Sequence, residues 1–546
     1  MSRPSLPGST EPGRLQKRFP PPSLPFPEDP PIHIEPDRPL IPEEAETVEF
    51  HLQHLSVEGN TVFSNEELHS FWEDSLGQKI SLADLYGIAA AMTNHYRGKG
   101  YILSRVIVPA QRISEGQVVL RVLEGFIHRV IIEGEIGGSE RVLEGFARKL
   151  SSVRPLTSEV LERYLLLIQD LPGVTLQSVL RPSADQPGAS DLTIVLNHQP
   201  SNIIGEINNR SNDFIGPVQA LVGLQLNSLF GAYEQTSVRI ATTPLSLEEL
   251  LFFDVSMRIG LGSEGTQLGV TGSFSWSEPE SRGTLAGLGV ESESQGFQVI
   301  LSHPFLRGRR SSVWGSTSFL FQDNDTDLFF GSSVLTRDRI RVFRVDGVFD
   351  YLDRFRGTNR VGLGIQQGLN IFNATKSGSA NLSRANGKSN FTALSGTMTR
   401  LQQLGADWSG LLGMIWQYAF DPLLASREFG VGGAQYVRGY DPSERLGDSG
   451  VAAKVEIQYG WTRNQSFFQA YQVYAYYDVG AVWNRSDPPG TNSNETLDSV
   501  GIGLRANATS NISGYIELAQ PLAGAVTARG GDPNAPRVFF TATATF

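Results

Sequence analysis

The pattern of apolar and polar positions changes twice along the chain. Between residues 48 and 200 it is partly helical: Leu85, Ile88, Ala89, Met92 and Tyr96 share one helical face, and Leu161, Leu165 and Ile168 another. Ser64 with Glu67, and Ser81 with Asp84, have the spacing of capping boxes that open helices. Gly98 and Gly100 stop the first long helix, and Leu171-Pro172-Gly173 stops the last. Short strand-like runs flank these helices at 50–57, 102–109, 117–123, 130–133 and 192–196. The order β-α-α-β-β then recurs, which predicts two small α+β units in tandem, 48–125 and 126–200.

Beyond residue 200 helical spacing gives way to alternation. Val451, Ala453, Val455, Ile457, Tyr459 and Trp461 form an apolar face against Ala452, Lys454, Glu456, Gln458 and Gly460. The chain ends the same way, with Val538, Phe540, Ala542, Ala544 and Phe546 alternating with Phe539, Thr541, Thr543 and Thr545. Alternation and turn signals place sixteen strands between 203 and 546. Connections after even-numbered strands are tight, as at 229–231, 263–264 and 305–308. Most of those after odd-numbered strands are long: 279–293, 326–337, 371–389, 420–449, 484–496 and 522–536. Short turns on one rim and long loops on the other are expected of a transmembrane barrel and not of a soluble sandwich. The soluble arm joins at the short-turn rim, so that rim is read as periplasmic. Sixteen strands leave a lumen too wide for side chains to fill.

Residues 1–47 hold 13 of the 30 prolines and read as an extended linker without helix or ladder. Gly13–Phe19 is the exception, a candidate amphipathic helix. Residues 1–30 contain no apolar stretch after a basic start, so no secretory leader is read there.

Composition narrows the function. The formal net charge of -12 gives no reason to expect nucleic acid, and the absence of cysteine excludes thiol chemistry and Cys-bound metals. Eight histidines are scattered without ligand spacing, so no metal or other cofactor is expected. Gly447-Asp448-Ser449-Gly450 has the form of a serine-protease nucleophile motif, but it lies at a loop-to-strand junction and no histidine follows His303. No enzyme is expected.

The loop at 420–449 carries Gly430, Gly432 and Gly433, then Tyr436-Val437-Arg438-Gly439-Tyr440. Glycines let a chain double back, as a loop threading a lumen must. In 467–483, Tyr471, Val473, Ala475, Tyr477, Val479, Ala481 and Trp483 are assigned to lipid. Asp478 then faces the lumen with Gln472, Tyr474 and Tyr476. Arg438 is its candidate counter-ion; the alternative is that Arg438 binds water and Asp478 is one of many polar residues in the lumen.

Val437-Arg438-Gly439-Tyr440 resembles the loop motif of two-partner-secretion transporters, the haemolysin secretion/activation family. Tyr476-Tyr477-Asp478-Val479-Gly480 resembles that family's F-x-D-x-G strand motif, with Tyr476 in place of the usual Phe. Asn209-Arg210-Ser211 through Gly216-Pro217 is similar to its entry into the barrel, and the two α+β units resemble tandem POTRA domains.

The resemblance spans residues 48–546 and implies two POTRA domains before a 16-stranded antiparallel transmembrane β-barrel in the outer membrane. By the same resemblance, Arg438 and Asp478 lock the loop inside the pore, and residues 13–19 are a candidate plug. The POTRA pair captures an unfolded haemolysin- or adhesin-like exoprotein, and Phe546 is the signal read by the barrel-assembly machinery. An assembly factor for other barrels, or a plain porin, are the alternative functions; two POTRA units rather than a longer series favour secretion.

Overall fold

The computed structural model describes residues 7–18, 32–34, 42–183, 185–280, 285–462, 469–486, 494–523, 526 and 534–546. Helix α1 (Pro12–Arg18) comes first, and β1 (Ile32–Ile34) follows. The first α+β unit contains β2 (Glu49–His51), β3 (His54–Glu58), α2 (Asn65–His69), β4 (Lys79–Ser81), α3 (Leu82–Gly98), β5 (Arg105–Ile107) and β6 (Gln117–Leu123). Ser81 and Asp84 cap α3 reciprocally. The Ser81 amide and hydroxyl both donate to the Asp84 carboxylate, holding it below the usual carboxylate range. All five predicted face residues of α3 are buried, packed with Leu55, Leu120 and Trp72 over the sheet β3-β6-β5.

The second unit contains β7 (Phe126–Gly134), α4 (Glu140–Ser152), α5 (Ser158–Gln169), β8 (Val174–Pro182) and β9 (Ala189–His198). Its sheet runs β1-β8-β9-β7, with β1 parallel to β8. The linker therefore does form a ladder at Ile32–Ile34, against expectation. No proline occupies those three positions, and an edge strand needs hydrogen bonds on one side only.

Sixteen strands close the barrel: β10 (Ser201–Asn208), β11 (Gln219–Asn227), β12 (Gln235–Thr242), β13 (Leu251–Leu261), β14 (Thr266–Ser277), β15 (Glu291–Arg307), β16 (Ser311–Leu328), β17 (Ser333–Leu352), β18 (Gly357–Gly368), β19 (Thr392–Gln403), β20 (Trp408–Ala419), β23 (Ser449–Thr462), β24 (Ala470–Trp483), β25 (Asn494–Asn507), β26 (Ile512–Pro521) and β27 (Arg537–Thr545). Two short strands, β21 (Phe429–Val431) and β22 (Arg445–Gly447), form a hairpin of their own within the loop between β20 and β23. Closure is antiparallel between β10 and β27, and Phe546 and Ile203 exchange backbone hydrogen bonds of 2.8 Å.

The outer wall exposes Val222, Ile240, Leu363, Val455, Val473, Ile502 and Val538. Phe230, Phe305 and Phe355 stand on the short-turn rim, and Phe330, Phe372 and Phe420 on the other. An apolar band between two aromatic girdles is the surface a bilayer covers. Among the described residues no helix is long and apolar enough to cross a membrane.

One predicted loop is not a loop. Residues 326–337 extend the β16–β17 hairpin, leaving only 329–332 as the turn. Asp323 lies opposite Arg339 and Asp325 opposite Arg337, so cross-strand charge pairs support a ladder beyond the apolar band. The polar composition that predicts a loop belongs to a solvated hairpin.

Candidate functional site: the occupied lumen

The loop between β20 and β23 enters the lumen because its own side chains are apolar on one face. Phe429, Val431, Val437 and Tyr440 pack against Ala452, Val482 and Leu497 of the inner wall. Gly432, with φ +109°, lets the chain turn back, and a Cβ there would sit 2.3 Å from the Asp441 carbonyl oxygen. Gly433 has φ +114°. Val437 takes a left-handed φ of 57° although it is not glycine, and is fully buried. Burial between loop and wall holds it there.

Arg438 and Asp478 meet. The guanidinium donates to the carboxylate from Nε at 2.8 Å and from Nη2 at 2.9 Å, and the Arg438 backbone amide donates at 3.0 Å. Arg438 is 3% exposed and Asp478 0%. The remaining guanidinium nitrogen, Nη1, donates to Glu456 at 2.7 Å and lies 3.6 Å from Glu517. Two further arginines balance the three carboxylates. Arg505 pairs with Glu456 and Arg210 with Glu517, each at 2.6 Å. Three cations and three anions make a buried cluster that can stay ionised, because each charge has an opposite neighbour and hydrogen bonds.

Aromatic rings complete the socket. The Arg438 guanidinium lies 3.4 Å over the Tyr476 ring and that of Arg505 3.7 Å over Tyr474. Both hydroxyls donate to Glu517, at 3.0 and 2.8 Å. Phenylalanine at position 476 would lack the first of these donors. Opposite, Gly501 and Gly503 leave the space that the two rings fill.

The other motif residues have separate parts in the same fit. Gly439 donates to Ser499 Oγ at 3.2 Å, and a Cβ on it would press on Ser499 and Pro521. Tyr440 and Ala523 exchange hydrogen bonds through the phenol. A Cβ on Gly480 would meet Val431 at 2.5 Å, so this glycine makes room for the loop. Arg537 reaches back to Asp441 at 2.6 Å. Phe546 stands apart from the site at the barrel seam, exposed.

The loop is also tied at its base. Asp448, fully buried, accepts from Arg384 at 2.5 Å, from the Leu423 amide at 2.7 Å and from the Arg485 amide at 2.8 Å. These partners come from the connections after β18, β20 and β24. Asp448 belongs to the Gly447-Asp448-Ser449-Gly450 motif, so its role here is to gather connections on the long-loop rim.

Helix α1 lies inside the barrel beside the loop. Arg14 donates to the Glu428 carbonyl at 2.7 Å and to Ser443 Oγ at 2.9 Å, and Gln322 of the wall donates to the Gly13 carbonyl at 3.0 Å. Leu15 is buried against Ile215, Ala241, Leu250 and Phe252. The expected helix 13–19 falls on Pro12–Arg18; Phe19 lies outside the described residues. Between helix, loop and the first strands a cavity of about 420 Å³ remains, lined by Arg14, Arg210, Glu206 and Tyr436.

The sequence pattern marks Arg438 and Asp478 but not the rest of the cluster. It puts Glu456 on a polar strand face and gives it no partner. Glu517 was legible by parity, since Ile516 and Leu518 on either side of it are exposed to lipid. Arg210 stands in the Asn209-Arg210-Ser211 stretch at the entry to the barrel, but neither its pairing nor that of Arg505 is legible, because their partners lie on strands distant in sequence.

The second α+β unit meets the short-turn rim at three successive turns. Ser139 donates to the Gly231 carbonyl at 2.7 Å. Lys149, Arg163 and Tyr164 converge on Glu264, with Lys149 at 2.7 Å, and Arg307 grips Asp170 through two bonds of 2.7 Å.

Comparison with known proteins agrees with this architecture. Residues 50–125 match the POTRA domain, ShlB-type, and residues 188–506 match the haemolysin secretion/activation protein ShlB/FhaC/HecB family. The Heme/hemopexin transporter protein HuxB of Haemophilus influenzae is 24% identical over 470 residues, covering 84% of this chain and 80% of that protein. Among solved structures, CdiB from Escherichia coli superposes with a TM-score of 0.74 at 19% identity, covering 93% of both chains. BamA from Haemophilus ducreyi, lacking POTRA domains 1–3, gives 0.51 at 13% identity, covering 91% of this chain and 100% of that one. The family match takes in more than half of the chain, which therefore belongs to the haemolysin secretion/activation protein ShlB/FhaC/HecB family, the outer-membrane transporters of two-partner secretion that export an exoprotein and hold their POTRA domains in the periplasm.

Proposed function

We propose that this transporter rests closed, with α1 and the loop 420–449 filling its lumen, and that export requires both to move. The Arg438–Asp478 contact carries this reading, because it joins the loop to the wall through charges that water does not reach. Helix and loop pack against each other and against opposite parts of the inner wall, so they stand in the way of an extended polypeptide while they stay in place. The substrate is an unfolded exoprotein of haemolysin or adhesin type. The units at 48–125 and 126–200, taken as two POTRA domains, receive it as an added strand on an exposed sheet edge. Folding outside then opposes its return.

The reading assigns no catalytic step and no cofactor. Outer-membrane lipid surrounds the wall, and Phe546, exposed at the seam, is the signal taken by the barrel-assembly machinery.

The test is Arg438→Ala in cells expressing the partner exoprotein. Secretion should fall while the amount of heat-modifiable barrel in the outer membrane is kept. Equal loss of both would mean that the contact serves assembly, and the proposed lock would be wrong. Deleting the gene separates the alternatives: loss of one exported protein supports secretion, and loss of many barrels supports an assembly factor.

A further inference from the structure

The outer wall carries a feature that neither secretion nor the lumen site uses. In the register of β15 to β20, one row of outward positions reads His303, Gly315, Gly347, Leu363, Gly396, Trp416. Half of this row is glycine. The outward rows on either side, from Leu301 to Tyr418 and from Val313 to Met414, contain none. The row is therefore a trench in an otherwise bulky apolar wall.

Its ends are closed by rings. Phe305 lies over the Gly315 position and Trp416 over the Gly396 position, whereas a Cβ on Gly347 would meet nothing within 4 Å. The groove encloses about 820 Å³, the size of a small-molecule site, and its lining is almost wholly apolar.

Height and charge identify the occupant. Gly347 lies five residues from Leu352, the last residue of β17 before the short turn. At about 3.3 Å per residue and a tilt near 40°, this is about 13 Å above the periplasmic rim, within the inner leaflet. Below the groove the turns 308–310 and 353–356 adjoin, joined by the Leu352 amide donating to the Arg310 carbonyl at 2.8 Å. Among the described short turns, these two alone carry arginine. Arg310, Arg354 and Arg356 are exposed, and among the described residues none of the three forms an ion pair. Their neighbour Asp353 is taken by Arg400 at 2.6 Å.

We propose that the groove floored by Gly315 and Gly347 and closed by Phe305 and Trp416 is a binding site for one anionic glycerophospholipid of the inner leaflet. Its acyl chain fills the trench, and its phosphate headgroup meets the arginines of the two turns. The apolar trench supplies retention, and the three cations supply the choice of headgroup.

Native mass spectrometry of the full chain, extracted from its own membrane in mild detergent, tests this. The wild type should retain one phospholipid, with anionic over zwitterionic species enriched roughly fivefold or more relative to the bulk membrane. Gly347→Trp, whose Cβ meets no atom within 4 Å and whose ring fills the trench, should abolish retention. Gly347→Leu serves the same purpose if the larger ring hinders assembly, and heat-modifiable mobility shows in each case that the barrel has folded. Replacing Arg310, Arg354 and Arg356 by Gln should leave a lipid bound with its headgroup ratio returned to that of the bulk. No bound lipid, a bulk headgroup ratio in the wild type, or retention unchanged by filling the trench would each overturn the proposal.

Discussion

At its tip the loop 420–449 presents a cation, Arg438, to anions on strands β23, β24 and β26. At its base it presents an anion, Asp448, to a cation and an amide on two other connections and to the Leu423 amide at the loop's own start. Both residues are buried, yet the surroundings differ. The tip sits among wall strands whose positions the barrel ladder fixes, so the socket persists when the loop leaves. The base is held by connections without a ladder of their own, so Asp448 and its partners order one another. A buried charge bound to a rigid frame is suited to a latch, and one that gathers several connections is suited to a clasp at the mouth.

Three substitutions set these sites against each other and against a third, exposed contact. Arg438→Ala should have the largest effect. It leaves Asp478 and Glu456 buried with less compensation, a change that costs about 3–5 kcal/mol when one partner of a buried pair is lost. Planar-bilayer recordings should then show larger and more frequent openings. Recordings identical to wild type would show that the loop is held without this pair.

Asp448→Asn comes next, at about 1.5–3 kcal/mol, because an amide oxygen can still accept from Leu423 or Arg485, and Arg384 loses one carboxylate but keeps Glu428 at 3.1 Å. Proteolysis at the cell surface should increase in the connections after β18 and β24, with the Arg438 socket intact. Increased cleavage within 429–447 alone would mean that base and tip release as one unit.

Glu264→Gln should have the smallest effect. Its contacts with Lys149 and Arg163 are partly exposed and worth about 0–1 kcal/mol. Cross-linking between the α4–α5 unit and the barrel should fall slightly at low salt and not at all at high salt, since screening already weakens the pair. A salt-independent effect would place the hold in the Arg307–Asp170 bonds and the Ser139 backbone contact instead.

Much of this protein was legible because β-barrels constrain sequence strongly. Period-two alternation is imposed by lipid on one side and water on the other, so strand number and the lumen parity of Asp478 could be read without neighbours. The 326–337 hairpin was misread for a related reason. Beyond the bilayer both faces are wet, alternation disappears, and only pairing between Asp and Arg across the ladder distinguishes a strand from a loop. The prolines on either side of the linker strand Ile32–Ile34 mask it in the sequence, and its ladder depends on the edge of β8, a surface far away in the chain.

The sequence by itself determined the barrel, the two α+β units, and one pair of charges, because local periodicity and motif spacing carry those. Tertiary structure alone decided that Arg438 answers several carboxylates, that Asp448 is a clasp, and that three glycines fall in one outward row. Each of these depends on strand register around a closed sheet, which joins residues tens to hundreds of positions apart, and no local pattern encodes it.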